Sequence, residues 1–201
     1  MLISDPPEHL RLFLQRNFLD EQLCRRIRAE ARLSEGFPAP VYIDGTEGSV
    51  HESVRKTTSV NVSADTVSVI EQRLLDRRAA IAEYFGITLT DCERPQFLLY
   101  RSGDFFVRHQ DGNTEQLEFD HLRIRKVSIV VFLNAASERI EPDSFQGGSL
   151  VFYEPEASQK DRVAYELNGE PGLLVAFPSE TLHEVKPVIS GERYIIVSWF
   201  R

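Results

Sequence analysis

Arg108-His109-Gln110-Asp111-Gly112 places an imidazole and a carboxylate two positions apart inside a stretch rich in apolar residues. On an extended strand the side chains of positions i and i+2 share a face, so His109 and Asp111 can meet at one metal ion. The same pair also fits a strand-end aspartate accepting a hydrogen bond from a histidine, and the motif alone does not separate the two readings.

A third ligand would separate them. His183, in FPSETLHEVKPV, follows the apolar run GLLVAF and precedes another strand. Two imidazoles and one carboxylate fill one face of an octahedron and leave three positions open, the arrangement of non-haem Fe(II) oxygenases. A structural zinc site is instead closed by four protein ligands. Arg193 then opens RYIIVSWF, where Arg193, Ile195, Val197 and Trp199 alternate with Tyr194, Ile196, Ser198 and Phe200. A guanidinium on a face with large apolar groups needs an anion there. An acidic residue of the chain or solvent at the strand mouth would satisfy Arg193 taken singly. Joined with the triad, a bound dicarboxylate is the better reading: one carboxylate of 2-oxoglutarate on Arg193, the 2-oxo acid end on iron.

The elements that must position these groups divide the chain in two. Asp20 is a suitable N-cap for NFLDEQLCRRIRAEARL, with Leu19, Leu23 and Ile27 at four-residue spacing. A second helix is expected from Ala64 to Phe85, where Val67, Ile70, Leu74, Ile81 and Phe85 form one stripe and Gly86 suits the C′ position. Residues 34–60 between them read as a long loop with one strand, a candidate to contact substrate. From Pro95 onward QFLLYR, RKVSIVVFLN, GSLVFYE, RVAYEL, GLLVAFP and RYIIVSWF follow one another, separated by turn residues. Such a succession indicates an antiparallel jelly roll. The expected fold is mainly β with flanking N-terminal helices. It forms a single domain, 1–201, with a helical and loop support region at 1–94 and a double-stranded β-helix core at 95–201. The helices should pack on an outer face of the sheet.

Composition narrows the partners. The formal net charge of −8 disfavours phosphate backbones. Cys24 and Cys92, with no CxxC, argue against a zinc ribbon or a disulfide scaffold and read as buried apolar residues. The N-terminus lacks a basic start followed by an apolar run, and no apolar stretch approaches the roughly 20 residues that span a bilayer. The expectation is a soluble cytoplasmic protein without nucleic-acid or membrane partners.

At this point the chain resembles the Fe(II)- and 2-oxoglutarate-dependent dioxygenases, in their prolyl-hydroxylase-like group. The resemblance runs from Gln96 to Arg201. It rests on Tyr100-x-x-Gly103, the segment Phe106 to Asp111, Phe132-Leu133-Asn134, Gly147-Gly148-x-Leu150, His183-Glu184-Val185-x-Pro187 and the segment Arg193 to Phe200. It implies iron ligands at His109, Asp111 and His183, a salt bridge from Arg193 to 2-oxoglutarate, Tyr100 against that cosubstrate, and Trp199 as a core residue beneath the site. It implies Fe(II), 2-oxoglutarate and O2, with ascorbate as an accessory reductant. The implied reaction converts 2-oxoglutarate to succinate and CO2 while an unactivated C–H is hydroxylated. The substrate implied is a prolyl residue of a peptide or protein, with a free amino acid or small metabolite as the alternative. Phe132 departs from the group, which often has a tyrosine there whose hydroxyl helps hold the distal carboxylate.

Rival readings are a nucleic-acid demethylase, a cupin-like binding module without catalysis, and a zinc or nickel hydrolase. The first would carry a second arginine where this chain has Trp199. The cupin-like module would need neither Arg193 nor open metal positions. Phe105, Phe106, Val130, Phe152 and Phe177 are candidates to keep water from the metal. Arg108 should point away from His109. Residues 114–125 read as a solvated hairpin or as a substrate-recognition rim. Arg55 and Lys56 read as a solvated pair, with contact to an acidic substrate as the alternative.

Overall fold

Helix starts follow their capping residues. Asp20 caps the first helix by accepting from Leu23 N at 2.8 Å, and Ser63 caps the second by accepting from Thr66 N at 3.2 Å; each cap stabilises by about 1 kcal/mol. The second helix ends at Gly86 in the left-handed region, φ 66°. A computed structural model describes residues 5–43, 46–112, 120–139, 141–154 and 162–201. After a 3-10 turn (Glu8–Leu10) come β1 (Phe13–Gln15), α1 (Glu21–Arg32), β2 (Phe37–Pro38), β3 (Val41–Ile43), β4 (Thr46–Ser49), β5 (Arg55–Lys56), β6 (Thr58–Val60) and α2 (Ala64–Phe85). The second half adds β7 (Gln96–Tyr100), β8 (Phe105–His109), α3 (Asp120–Arg123), β9 (Val127–Phe132), β10 (Phe145–Gly147), β11 (Leu150–Tyr153) and β12 (Val163–Leu167). The chain closes with β13 (Leu174–Pro178), β14 (His183–Val185), β15 (Val188–Gly191) and β16 (Arg193–Phe200).

A seven-stranded antiparallel sheet runs β1-β13-β9-β16-β7-β6-β2, and a five-stranded sheet runs β12-β11-β14-β8-β5. Two short ribbons, β10-β15 and β3-β4, complete the described strands. This is the expected jelly roll. The larger sheet is buried on both faces, which is why β9 reads VSIVVF with all six residues buried. Its even-handed alternation serves two cores. Val127, Ile129, Val131, Tyr194, Ile196 and Phe200 pack with Ile27, Ile70, Leu74 and Ile81 of the two helices. Val130, Phe132, Tyr100 and Ile195 turn inward against Leu150, Phe152 and Val185 of the smaller sheet. The helices thus cover one outer face, as the stripes predict. Among the described residues, no helix is long and apolar enough to cross a membrane.

The segment 34–60 departs from expectation. Its described residues contain five short strands rather than one, each of two to four residues. Pairing and not sequence alternation defines such short strands, so periodicity could not reveal them. Two matter for the site: β6 extends the larger sheet beside β7, and β5 extends the smaller one beside β8.

Leu74 is fully buried, whereas Leu75 is 39% exposed. Leu74→Ala is expected to cost about 2–5 kcal/mol of folding stability, against less than about 0.5 kcal/mol for Leu75→Ala, read by urea unfolding.

Candidate metal and cosubstrate site

The smaller sheet brings the histidines together. His183 of β14 stands directly across from His109 of β8, and two positions along β14 Val185 pairs with Phe106, three positions back along β8. Three steps along β8 therefore oppose two along β14, a bulge of the kind that re-aims side chains. Phe106 and His109, which a regular strand would send to opposite faces, stack with ring centroids 3.5 Å apart. Arg108 points outward, as expected, and lies over the Tyr153 ring at 4.5 Å.

Both imidazoles are held from behind. Nδ1 of His109 lies 2.7 Å from the Val107 carbonyl, and Nδ1 of His183 lies 2.8 Å from the Thr181 carbonyl. A carbonyl only accepts, so each Nδ1 carries the hydrogen and each Nε2 presents its lone pair. Asp111 sits between them, with Oδ1 3.4 Å from His109 Nε2 and Oδ2 3.6 Å from His183 Nε2. One ligand atom from each residue falls within 4.8 Å of the others. Burial alone would raise the Asp111 carboxyl, but His183 and His109, where protonated, and the Ser128 hydroxyl hold it well below the usual range. Burial, with His109 adjoining, pushes His183 down to about 4. The cluster is therefore one carboxylate and an uncharged, lone-pair-bearing His183, the protonation state a divalent cation requires.

Behind Asp111 lies a pair the sequence reading missed. Ser128 Oγ donates to Asp111 Oδ2 at 2.7 Å and lies 3.0 Å from Ser179 Oγ, both serines being buried. The Ser179 carbonyl accepts from Asp111 N at 2.9 Å. The available signal was an inward-facing serine within the apolar run VSIVVF. Such outer partners fix a ligand's orientation, and losing one typically weakens metal binding about 10–100-fold.

The site opens into a cavity of about 180 Å³. Arg193 lies in its wall, 0% exposed, and among the described residues Nε, Nη1 and Nη2 have no hydrogen-bond partner. Its guanidinium faces the rings of Tyr100 at 5.0 Å and Phe132 at 5.1 Å. Burial pushes Arg193 down to about 10, so it remains charged at neutral pH, with no carboxylate of the described residues opposite it. Tyr100 is its cross-strand neighbour in the β7–β16 ladder. Phe132 brings no hydroxyl. Gly148, at φ 63°, makes room, since a Cβ there would lie 2.9 Å from Arg193 Cδ. An orphaned guanidinium on the triad's cavity fits the distal carboxylate of 2-oxoglutarate, and the three donors fit Fe(II).

Val130 and Phe106 line the cavity, Phe177 meets the His183 ring edge-on at 4.8 Å, and Phe152 packs behind it. Phe105 does not line the cavity. Trp199 is a buried core residue that also forms part of the cavity wall, with Arg125 stacked 3.7 Å over its ring. Arg125, which ends the segment read as a hairpin or rim, is held by both oxygens of Glu93 at 2.8 and 2.7 Å. Of the segment 114–125, residues 114–119 lie outside the described residues. The remainder begins with α3 rather than a hairpin, and its Leu122 and Arg125 line the cavity. Arg55 is buried at the cavity, whereas Lys56 is solvated and lies 3.7 Å from Asp104.

Comparison with known proteins agrees with this geometry. The 2OG-Fe(II) oxygenase superfamily matches residues 95–201. A PKHD-type hydroxylase of Shewanella baltica strain OS185 is 28% identical over 174 residues, covering 85% of this chain and 72% of the relative. One of Shewanella sp. strain ANA-3 is 31% identical over 173 residues, covering 85% and 71%. The crystal structure of a Pseudomonas putida prolyl-4-hydroxylase superposes with TM-score 0.68 at 28% identity, covering 96% of this chain and 94% of that one. A Trichoplax adhaerens prolyl hydroxylase, solved with a hypoxia-inducible-factor peptide, shares the fold with TM-score 0.70 at 17% identity, covering 96% and 84%. The chain belongs to the 2OG-Fe(II) oxygenase superfamily. It is accordingly an oxidoreductase that uses Fe(II) and 2-oxoglutarate, prolyl-hydroxylase-like in sequence and fold.

Ser128→Ala is expected to weaken binding of Mn(II), as an air-stable probe, by about 10–100-fold, with the far-UV spectrum unchanged. Anaerobic Fe(II) titration should give the same ratio.

Proposed function

We propose that this protein hydroxylates a prolyl residue of a peptide or protein. Iron is held by His109, Asp111 and His183, and 2-oxoglutarate by Arg193 with Tyr100 alongside. The observation that carries the assignment is the triad opening onto the same cavity as a buried, unpartnered Arg193. The prolyl substrate is supported by the hydroxylase relatives and by the Pseudomonas putida prolyl-4-hydroxylase. Residues 1–201 act as one domain in this reading, because β1, β2, β5 and β6 extend the sheets of the catalytic half. A cytoplasmic location is supported by two free cysteines, Cys24 and Cys92.

Bound iron and 2-oxoglutarate supply the oxidising chemistry: O2 and 2-oxoglutarate become succinate and CO2 as one oxygen atom enters the C–H bond. The chain's own work is placement. Two backbone carbonyls lock the imidazole tautomers. Ser128 holds one carboxylate oxygen of Asp111, and Arg193 fixes the far end of the dicarboxylate. The Phe106 and Phe177 rings cover the imidazoles, and Val130 adds apolar wall, which limits water at the reacting face. Asp111 and the histidines are occupied as ligands, so none is asked to move a proton during the C–H step.

Anaerobic addition of Fe(II) and 2-oxoglutarate should produce the weak visible charge-transfer band of a chelated 2-oxo acid. Its absence in the wild type would refute the assignment, and its persistence in Arg193→Ala at unchanged 2-oxoglutarate affinity would refute the anchor. Proline-containing peptides should then raise succinate release and gain one oxygen atom by mass.

Phe132→Tyr would place a hydroxyl beside Arg193. A hydrogen bond to a charged group is worth about 1.5–3 kcal/mol, so 2-oxoglutarate should bind at least about tenfold more tightly, read from the same band.

A further inference from the structure

Four charged side chains line the cavity: Arg55, Asp111, Arg125 and Arg193. Three are accounted for, given the iron and 2-oxoglutarate assignment above, on which this inference rests. Iron carries two positive charges and Arg193 one; Asp111 and the two carboxylates of 2-oxoglutarate cancel them. Arg125 is cancelled by Glu93. Arg55 is the charge left over.

Arg55 is 9% exposed, and its buried Nε has no partner among the described residues. Nη1 donates to the Pro40 carbonyl at 3.1 Å, which satisfies one donor and no charge. No carboxylate among the described residues pairs with it, although its neighbour Lys56 lies by Asp104. The guanidinium lies 4.9 Å from the centre of the Phe106 ring, and that ring stacks on His109. The backbone explains the placement: Arg55 pairs with Phe106 across the β5–β8 ladder, so β5 positions the side chain beside the metal ligands. A guanidinium buried without a counter-charge is costly, and a bound anion removes that cost. In a chain of net charge −8, a local cation at the reaction cavity is also a discriminating feature.

We propose that Arg55 is a substrate-binding residue that recognises a carboxylate close to the C–H being hydroxylated. The carboxylate comes either from an acidic side chain next to the reacting residue or from the free α-carboxylate of that residue itself. Arg55 is thus a specificity determinant, separate from the cosubstrate anchor Arg193.

The test uses the whole chain loaded with 2-oxoglutarate and Zn(II), which binds without turnover, and ligand-observed NMR. One set of probes is N-acetylated, C-amidated pentapeptides with a central proline flanked by Asp, Asn or Lys. The other is N-acetyl-L-proline against N-acetyl-L-prolinamide. In at least one set the acidic probe should bind the wild type ten times or more tighter than its neutral counterpart. In Arg55→Gln that ratio should fall to within twofold while 2-oxoglutarate affinity, which reports an intact fold, stays within twofold. Arg55→Lys, which keeps the charge, should retain part of the preference. The proposal is overturned if acidic and neutral probes bind the wild type alike, if no acidic probe binds, or if the preference survives Arg55→Gln. The same probes given to the Fe(II) enzyme in air separate the two claims. Acid preference without hydroxylation of any prolyl probe sinks the prolyl reading and leaves the carboxylate subsite standing. Hydroxylation without acid preference does the reverse.

Discussion

The pairing of β8 with β14 is the constraint on which the site depends. His109 and His183 come from positions 74 residues apart and meet because one ladder sets them opposite each other. Side chains alternate with a period of two, so a slip of one residue would turn an imidazole to the outer face. The bulge between the two paired positions turns Phe106 to the same side, where its ring backs His109 and touches Arg55. Metal donors, hydrophobic cover and the unpaired cation therefore share one local irregularity of backbone hydrogen bonding.

Much of this was legible in the sequence because it depends on residue type and strand alternation. The six apolar runs after Pro95 all became strands, and the two helices lie where their caps and stripes put them. The triad and Arg193 were legible for a related reason. Histidine, aspartate and arginine inside apolar β segments are costly unless they have a task. Ser128 escaped notice because a lone serine carries no such cost signal; its meaning lies in a 2.7 Å contact with Asp111. The burial of Arg125 and Arg55 was hidden for the opposite reason. They sit among polar residues in the sequence, where a charge looks solvated, and only tertiary pairing buries them. The strands between 34 and 60 were invisible because each is too short to show a period.

Electrostatics gives the cavity its character. Arg193 and Asp111 are opposite charges held in one small, largely apolar space, and neither is paired by a described ion of the other sign in hydrogen-bonding geometry with it. Such a site is poised for a cation at one end and an anion at the other. It is less suited to two cations or to a neutral ligand of the same size. That asymmetry makes a dicarboxylate that also chelates metal a better match than either partner alone, because each charge it brings is met by one already fixed in place.

β16 has a further consequence because it is lined on both faces. Arg193, Ile195 and Trp199 look toward the chemistry, while Tyr194, Ile196 and Phe200 are clamped by the helical layer. Close-packed interiors transmit strain rather than absorb it. The helical layer and the cosubstrate anchor are thus mechanically coupled through a single strand. Evolution acting on the outer helices, for thermal robustness or for a new partner, would also be adjusting how firmly the oxidant's precursor is gripped.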